Sequence, residues 1–268
     1  MMTPASFDAV AEQYERVLVP RRRLQHLLLL EALELSGDEV VIDLGCGTGA
    51  LTAMIAQRLE RGSVVGVDAS LRMLEHARMR AAQQGLSNMR LLNRPIEGVE
   101  EALQGGGFDA VVSSHVLHWL KSPSTLFQAA SHLLRPGGKL GLIVASFDMY
   151  LELVEAIREV SRRYCPYSLV EDFLQTLGRQ HYSPKMLETL LNLHGFKTRT
   201  TIEYRATHKI ASVDEYLELL HAATGGRYLR YSGWEAYGRF VQDLRRVLER
   251  REELSFTDHA IIAVAEKS

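Results

Sequence analysis

The chain of 268 residues predicts an α/β protein with a doubly wound, mostly parallel sheet. Two patterns predict it. Apolar, β-branched runs alternate with segments of helical periodicity as far as Ala145, the signature of strands joined by crossover helices. Two later strand-like stretches, Phe196 to Ile210 and Phe256 to Ala265, suit an antiparallel pair at the sheet edge. Together they make a seven-stranded sheet that is parallel except for its last strand.

Residues 1–36 read as two helices ahead of the first strand. Ser6 is placed to cap a segment that carries Phe7, Val10, Ala11 and Tyr14 on one face. Arg21, Arg22 and Arg23 form a basic run that suits a solvated helix face. Ser36-Gly37-Asp38 is a turn. The first strand then runs Val40-Val41-Ile42-Asp43-Leu44 and breaks into Gly45, Gly47 and Gly49. Helical periodicity resumes at Leu51. A glycine turn between a strand and a helix lets a ligand approach backbone closely, because no Cβ intervenes. The helix N-terminus adds unpaired N–H groups and partial positive charge.

The second strand, Ser63 to Asp68, ends in an acid and leads to a helix over about Leu71 to Gln84, closed by Gly85. Met89 to Asn93 is the third strand, and Phe108 to Ser114 the fourth. His115-Val116-Leu117-His118-Trp119-Leu120 follows at the carboxyl end of the fourth, the edge of an open α/β sheet where ligands bind. A helix from Ser124 to Leu134 ends in the turn Arg135-Pro136-Gly137-Gly138, and Lys139 to Ala145 is the fifth strand. Beyond it the pattern predicts helices at about Tyr150–Tyr164, Leu169–Gly178, Pro184–His194, Val213–Ala223 and Trp234–Glu252. These would fold over the pocket as a cap, with Thr224 to Tyr231 as a mobile loop.

Composition narrows the function. Apolar residues make up 46% of the chain, enough for a sizeable core. A net charge of -2 argues against a general nucleic-acid binder. Cys46 and Cys165 make no disulfide framework. His115-x-x-His118 lacks a third ligand, so no metal site is expected. Acids appear by Asp8, and Leu27 to Leu30 is soon interrupted by Glu31 and Glu34. Neither a signal peptide nor a membrane span is expected, and the expected location is cytoplasmic.

Two acids carry the chemistry, each with two readings. Asp43 either bonds nearby backbone N–H groups or meets an ammonium group. Asp68 either serves a helix cap or accepts both hydroxyls of a ribose. The glycine pattern also fits dinucleotide binding.

Further features separate these options. Val41-Ile42-Asp43-Leu44-Gly45-Cys46-Gly47-Thr48-Gly49, Val65-Gly66-Val67-Asp68, Phe108-Asp109-Ala110-Val111-Val112-Ser113 and Leu134-Arg135-Pro136-Gly137-Gly138 stand in this order. Together they resemble class I S-adenosylmethionine (SAM)-dependent methyltransferases of the small-molecule type. The likeness is close over about residues 6–145 and one of layout beyond. It implies a Rossmann-like fold and SAM as cofactor, with S-adenosylhomocysteine as its product. It implies that Gly45, Cys46 and Gly47 bracket the methionine part, with Asp43 near its amino group. Asp68 would take the ribose, Ala69 and Ser70 would lie beside the base, and Ile96 and Glu97 at the adenine rim. Many relatives have Asp-Ala where Pro95-Ile96 stands here. Phe7-Asp8-x-x-Ala11-x-x-Tyr14 also resembles a segment whose aromatic closes over SAM.

His115, placed with the cofactor residues, His118 and Trp119 are the nearest side chains for a substrate. His118 suits proton transfer or packing, and Trp119 a pocket wall. In the cap, Arg227 and Tyr228 suit a carboxylate substrate. The cap loosely resembles those of trans-aconitate and malonyl-carrier-protein methyltransferases, while ubiquinone-biosynthesis methyltransferases share the core equally. The expected organisation is N-terminal helices closing the cofactor site (1–36), a SAM-binding core (37–146, 196–210 and 254–268) and a helical cap (147–195 and 211–253). The expected function is methyl transfer to a small-molecule or carrier-bound acceptor, including a carboxylate, by a monomer or homodimer. The alternatives are C- or N-methylation, a non-catalytic SAM-binding protein, and an NAD-dependent oxidoreductase.

Overall fold

A computed structural model describes residues 7–103, 106–146, 151–164, 182–224 and 227–268, except the side chains at 151, 153, 161, 163, 164, 224 and 227–237. The expected helix at 169–178, the Ser6 cap and Cys165 fall outside the described residues.

One sheet of seven strands organises the chain, in the order β3-β2-β1-β4-β5-β7-β6. The strands are β1 (Val40–Leu44), β2 (Ser63–Asp68), β3 (Met89–Asn93), β4 (Phe108–Ser114), β5 (Leu134–Ala145), β6 (Phe196–Lys209) and β7 (Ser255–Lys267). The first five are parallel. β7 runs antiparallel between β5 and β6. The described helices are α1 (Ala11–Gln13), α2 (Val19–Leu33), α3 (Ala50–Arg58), α4 (Leu71–Gln83), α5 (Val99–Ala102), α6 (Pro123–Leu133), α7 (Leu151–Tyr164), α8 (Pro184–Leu193), α9 (Val213–Thr224) and α10 (Arg227–Leu248). Among the described residues no helix is long and apolar enough to cross a membrane.

Strand alternation builds a core on each face of the sheet. Val41, Val112 and Ile143 join Leu29, Leu33 and Ile55 from α2 and α3. Ile42, Val111 and Leu142 join Phe127 and Leu187 from α6 and α8. Both faces of the parallel strands are therefore covered, which is why they read as continuous apolar runs. A third core joins α7, α9 and α10 to Val17, Leu18 and Phe256. Serine caps start α4, α6 and α8: Ser70, Ser122 and Ser183 each accept a backbone N–H of the first turn.

Four expectations are corrected. The N-terminal segment is not two helices, because a π-helical turn over Tyr14–Leu18 links α1 to α2 without a break. The widened turn accommodates Pro20, which has no N–H and would crowd a regular turn. The turn at 135–138 is a bulge inside β5, where the partner of β4 steps from Leu134 at Phe108 to Lys139 at Ala110. Residues 227–231 are helical from Arg227 rather than part of a loop; Arg, Tyr and Leu all tolerate a helix interior. The basic run splits, since consecutive helix residues face different ways: Arg22 is buried and Arg23 is exposed.

Candidate functional site

A cleft of about 230 Å³ opens at the carboxyl ends of the parallel strands. Its lining includes Tyr14, Gly45, Gly47, Asp68, Ala69, Ser70, Ile96, Glu97, His115 and Trp119. Ten of the expected site residues therefore share one cavity. Phe7, Met73, Arg94, Pro95 and Lys121 join them.

The glycine turn forms the cleft floor. The N–H groups of Gly45 and Cys46 both donate to the Val67 carbonyl, at 2.8 and 2.9 Å, so the turn folds back over β2. All three glycines have positive φ, for three different reasons. A Cβ on Gly45 would lie 2.3 Å from Val116 Cγ2, which brings the β4 tip against the turn. A Cβ on Gly49 would lie 2.8 Å from Ala77 Cβ, so this glycine lets α4 pack against the start of α3. Beyond Gly47 there is nothing within 4 Å, so its missing Cβ leaves open space on the cleft side of the turn.

Asp68 faces that space. Its two carboxylate oxygens accept the N–H groups of Gly47 and Ser70, at 2.9 and 2.8 Å. Burial pushes its pKa up while these bonds pull it down. A carboxylate oxygen accepts more than one hydrogen bond, so capacity remains for two ligand hydroxyls. Ser70 Oγ accepts the Met73 N–H at 3.1 Å and donates to Asp8 at 2.5 Å. Asp8 also accepts the Arg72 N–H, which pins the N-terminal segment to the start of α4. Phe7 meets the Trp119 ring edge-on at 5.3 Å across the cleft rim.

Asp43 lies elsewhere. Alternation points it to the α2–α3 side, into a small cavity of about 30 Å³ with Arg22, His26, Cys46 and Thr48. This cavity shares Tyr14, Gly45 and Ser114 with the cleft, so the two adjoin. Asp43 Oδ2 accepts the Thr52 hydroxyl at 2.6 Å, while Oδ1 is buried without a protein partner. Burial raises the carboxyl pKa to about 7, against the pull of Thr52. Arg22 donates to the Tyr14 hydroxyl at 2.5 Å, with its guanidinium 5.2 Å from the ring centre. Arg80 donates to the Thr48 carbonyl at 3.1 Å and pairs with Glu15, tying the turn, α4 and the π-helical turn together.

His115 stands in the cleft wall, and His118 does not line it. The His118 ring lies 4.8 Å from that of Trp119 and 6.3 Å from that of His115. The side chains of Arg227 and Tyr228 lie outside the described residues.

Sequence reasoning missed Arg22 and Met73. Arg22 looked like one of three equivalent surface cations; only its place on the inner face of α2 distinguishes it.

The cavities suit a nucleoside joined to an amino acid. Gly47 leaves room for a linker, Asp68 has acceptors for a ribose, and Ile96, Met73 and Pro95 offer an apolar slot. At the other end, an unpartnered carboxylate oxygen and an arginine share a space of matching chemistry for an ammonium and a carboxylate.

Comparison with known proteins identifies the family and the fold. Residues 35–222 match the family described as methyltransferase domain. A trans-aconitate 2-methyltransferase of Deinococcus radiodurans is 38% identical over 39% of this chain and 37% of its own length. A ubiquinone biosynthesis O-methyltransferase of Serratia proteamaculans is 31% identical over 50% of this chain and 56% of its own. The similarity thus spans little more than half of these relatives at most. A SAM-dependent methyltransferase structure from Aquifex aeolicus superposes with a TM-score of 0.56 over 98% of this chain and 99% of that one, at 14% identity, which supports the fold. Strand order, glycine turn, acid-tipped second strand and family match agree, and the chain belongs to the class I SAM-dependent methyltransferase family.

Proposed function

We propose that this chain transfers a methyl group from SAM to a small-molecule acceptor. The observation that carries the reading is the Gly47–Asp68 pair, an open backbone cradle facing a carboxylate that still has acceptor capacity. SAM, when bound, supplies a methyl group on a cationic sulfur that departs as a neutral thioether. The protein's part is to align the acceptor with that methyl and exclude water.

In this reading Asp68 holds the ribose hydroxyls, and Gly45 and Gly47 let the chain of the amino acid cross the turn. Ala69, Ser70, Ile96 and Glu97 border the base. Asp43 meets the ammonium group from the adjoining cavity, beside Cys46, and Arg22 meets the carboxylate. Tyr14 closes over the cofactor from the π-helical turn. Residues 1–36 close the site, 37–146, 196–210 and 254–268 form the binding core, and 147–195 with 211–253 form the cap. Trp119 borders the acceptor, and Arg227 and Tyr228 are the cap residues assigned to bind it. An acidic acceptor, as in the name of the trans-aconitate relative, suits Arg227; Arg227→Ala should then raise the acceptor KM and leave SAM affinity nearly intact.

Titration calorimetry tests the cofactor. One SAM and one S-adenosylhomocysteine should bind per chain, and NAD should not. Binding of NAD in place of SAM would overturn the proposal.

A further inference from the structure

A second cavity lies behind the glycine turn, between α2, α3 and α4. Its volume is about 210 Å³, close to that of the cleft. None of its lining residues lines the cleft. Val19, His26 and Ala50 border both this cavity and the small one at Asp43, so the three spaces adjoin in sequence. Methyl transfer gives the outermost of them no occupant.

Its walls carry charge of one sign. Arg23 of α2 and Arg80 of α4 line it, and no Asp or Glu does. Arg23 is exposed and makes no ion pair among the described residues. Burial first, then the charges of Arg22 and Arg80, lower the His26 pKa to about 3, so that ring adds no charge at neutral pH. Val19, Pro20, Ala53 and Met54 give the cavity an apolar floor. At its rim Gln57 Nε2 donates to Gln84 Oε1 at 3.0 Å, which leaves further amide N–H groups to donate. Guanidinium groups over an apolar floor, with no competing acid, match a small organic anion: a carboxylate or phosphate ester on an apolar body.

Arg80 ties this cavity to the cofactor site. Its Nε donates to the Thr48 carbonyl in the glycine turn at 3.1 Å, and its guanidinium pairs with Glu15, the residue after Tyr14. Glu15 holds it through Oε1 alone, since Oε2 is buried with no hydrogen-bond partner. A pair made through one oxygen lacks the two-point hold of a bidentate pair, and a second anion competes with it more readily. Glu15 lies in the π-helical turn, a conformation that gathers at functional sites.

We propose that this cavity is a second ligand site, for a small organic anion held by Arg23 and Arg80, and that its occupant weakens SAM binding by drawing Arg80 from Glu15. Release of Glu15 frees the π-helical turn that carries Tyr14 and leads to Arg22. By linkage, SAM weakens the anion by the same factor. The coupling rests on the methyltransferase reading; the site itself does not.

The test uses benzoate and phenyl phosphate with the full chain, at constant ionic strength. Benzyl alcohol and inorganic phosphate supply the apolar and the ionic half alone. Ligand-observed saturation-transfer spectroscopy detects binding, and calorimetry gives affinities. At least one of the two organic anions should bind at millimolar concentration, and each half more weakly; which of the two binds tells a carboxylate site from a phosphate site. Arg23→Ala should lower its affinity about threefold, within the range of an exposed charge pair. Gln84→Glu, nearly isosteric, sets a carboxylate at the rim and should lower it too. Both variants should bind S-adenosylhomocysteine like wild type when no anion is present. With the anion saturating, the wild-type Kd for S-adenosylhomocysteine should rise about fivefold or more.

Anion affinity unchanged in both variants places the anion elsewhere and overturns the proposal. So does a neutral half that binds as tightly as the whole, or an S-adenosylhomocysteine affinity indifferent to the bound anion. A chain that binds the anion through Arg23 but no S-adenosylhomocysteine fails the methyltransferase reading and keeps the site. A chain that binds S-adenosylhomocysteine and neither organic anion fails the proposal alone.

Discussion

Asp68 accepts the backbone N–H of Gly47 at 2.9 Å, so the tip of β2 and the glycine turn after β1 form one hydrogen-bonded unit. The carboxylate that would receive a ribose also sets the shape of the turn.

Asp68→Ala should therefore do two things. It removes charge-assisted hydrogen bonds to the ligand, each worth roughly 1.5–3 kcal/mol, or about 10–100-fold in affinity. It also leaves the Gly47 N–H without its acceptor, which loosens the turn. Asp68→Asn keeps one acceptor oxygen and should lose less. Calorimetric titration of both variants with SAM checks this; equal affinity in wild type and Asp68→Ala would remove Asp68 from the site.

Gly47 and Gly49 should respond differently to a side chain. Gly47→Val meets open space, so the protein should fold with a modest loss of stability from its φ of +55, yet block the ligand. Gly49→Val would drive into Ala77 and Met89 and should lower the melting temperature far more. Thermal melts with and without SAM separate the two effects. A Gly47→Val variant that binds SAM normally would show that the turn does not touch it.

The Asp43 carboxyl makes stability depend on pH. Its folded pKa of about 7 lies above the ordinary carboxylate value of 3.8. Across that window the folded state keeps a proton that the unfolded state releases, so this group's contribution falls as pH rises, by at most about 1.4 kcal/mol per unit. His26 tilts the other way: its pKa is held near 3 by burial, so its contribution is lost as pH falls below 6.5. Asp43→Asn removes only the first slope. Its melting temperature relative to wild type should climb between pH 5 and pH 8. An ammonium group beside Asp43 would lower that pKa, so SAM binding near neutral pH should release a proton, seen as a buffer-dependent binding enthalpy.

Arg22→Gln separates the two ends of the ligand. If the guanidinium meets the carboxylate of SAM, the variant should lose about 10-fold or more in SAM affinity, within the range of a charge-assisted hydrogen bond. Adenosine lacks that end and should bind wild type and variant alike. Equal losses for both ligands would assign Arg22 to holding Tyr14 instead.

Much of this architecture was legible in local patterns. Val40 to Leu44 and Phe108 to Ser114 are apolar because both sheet faces are covered, and Gly45, Gly47 and Gly49 announce the turn. What escaped was long-range or conformational. Nothing in Tyr14–Leu18 advertises a π-helical turn, which depends on how the chain accommodates Pro20 and docks on α9. The buried hydrogen bond from Gln25 to Asp258 spans 233 positions, and neither residue type signals its partner. The ring of His115 could be placed near the cleft from its position after β4, but its direction depends on a backbone φ of +57 that no residue type other than glycine makes expected.

The placement of β7 has a consequence for how the protein is made. This strand is synthesised after every other, yet it belongs between β5 and β6 and carries Asp258 to the foot of α2. A ribosome that stalls before residue 255 releases a chain holding every motif by which the family is recognised, with an open edge at β5 and an unmet amide at Gln25. Such a fragment should be a client for chaperones rather than a weak enzyme, and no excess of SAM should rescue it.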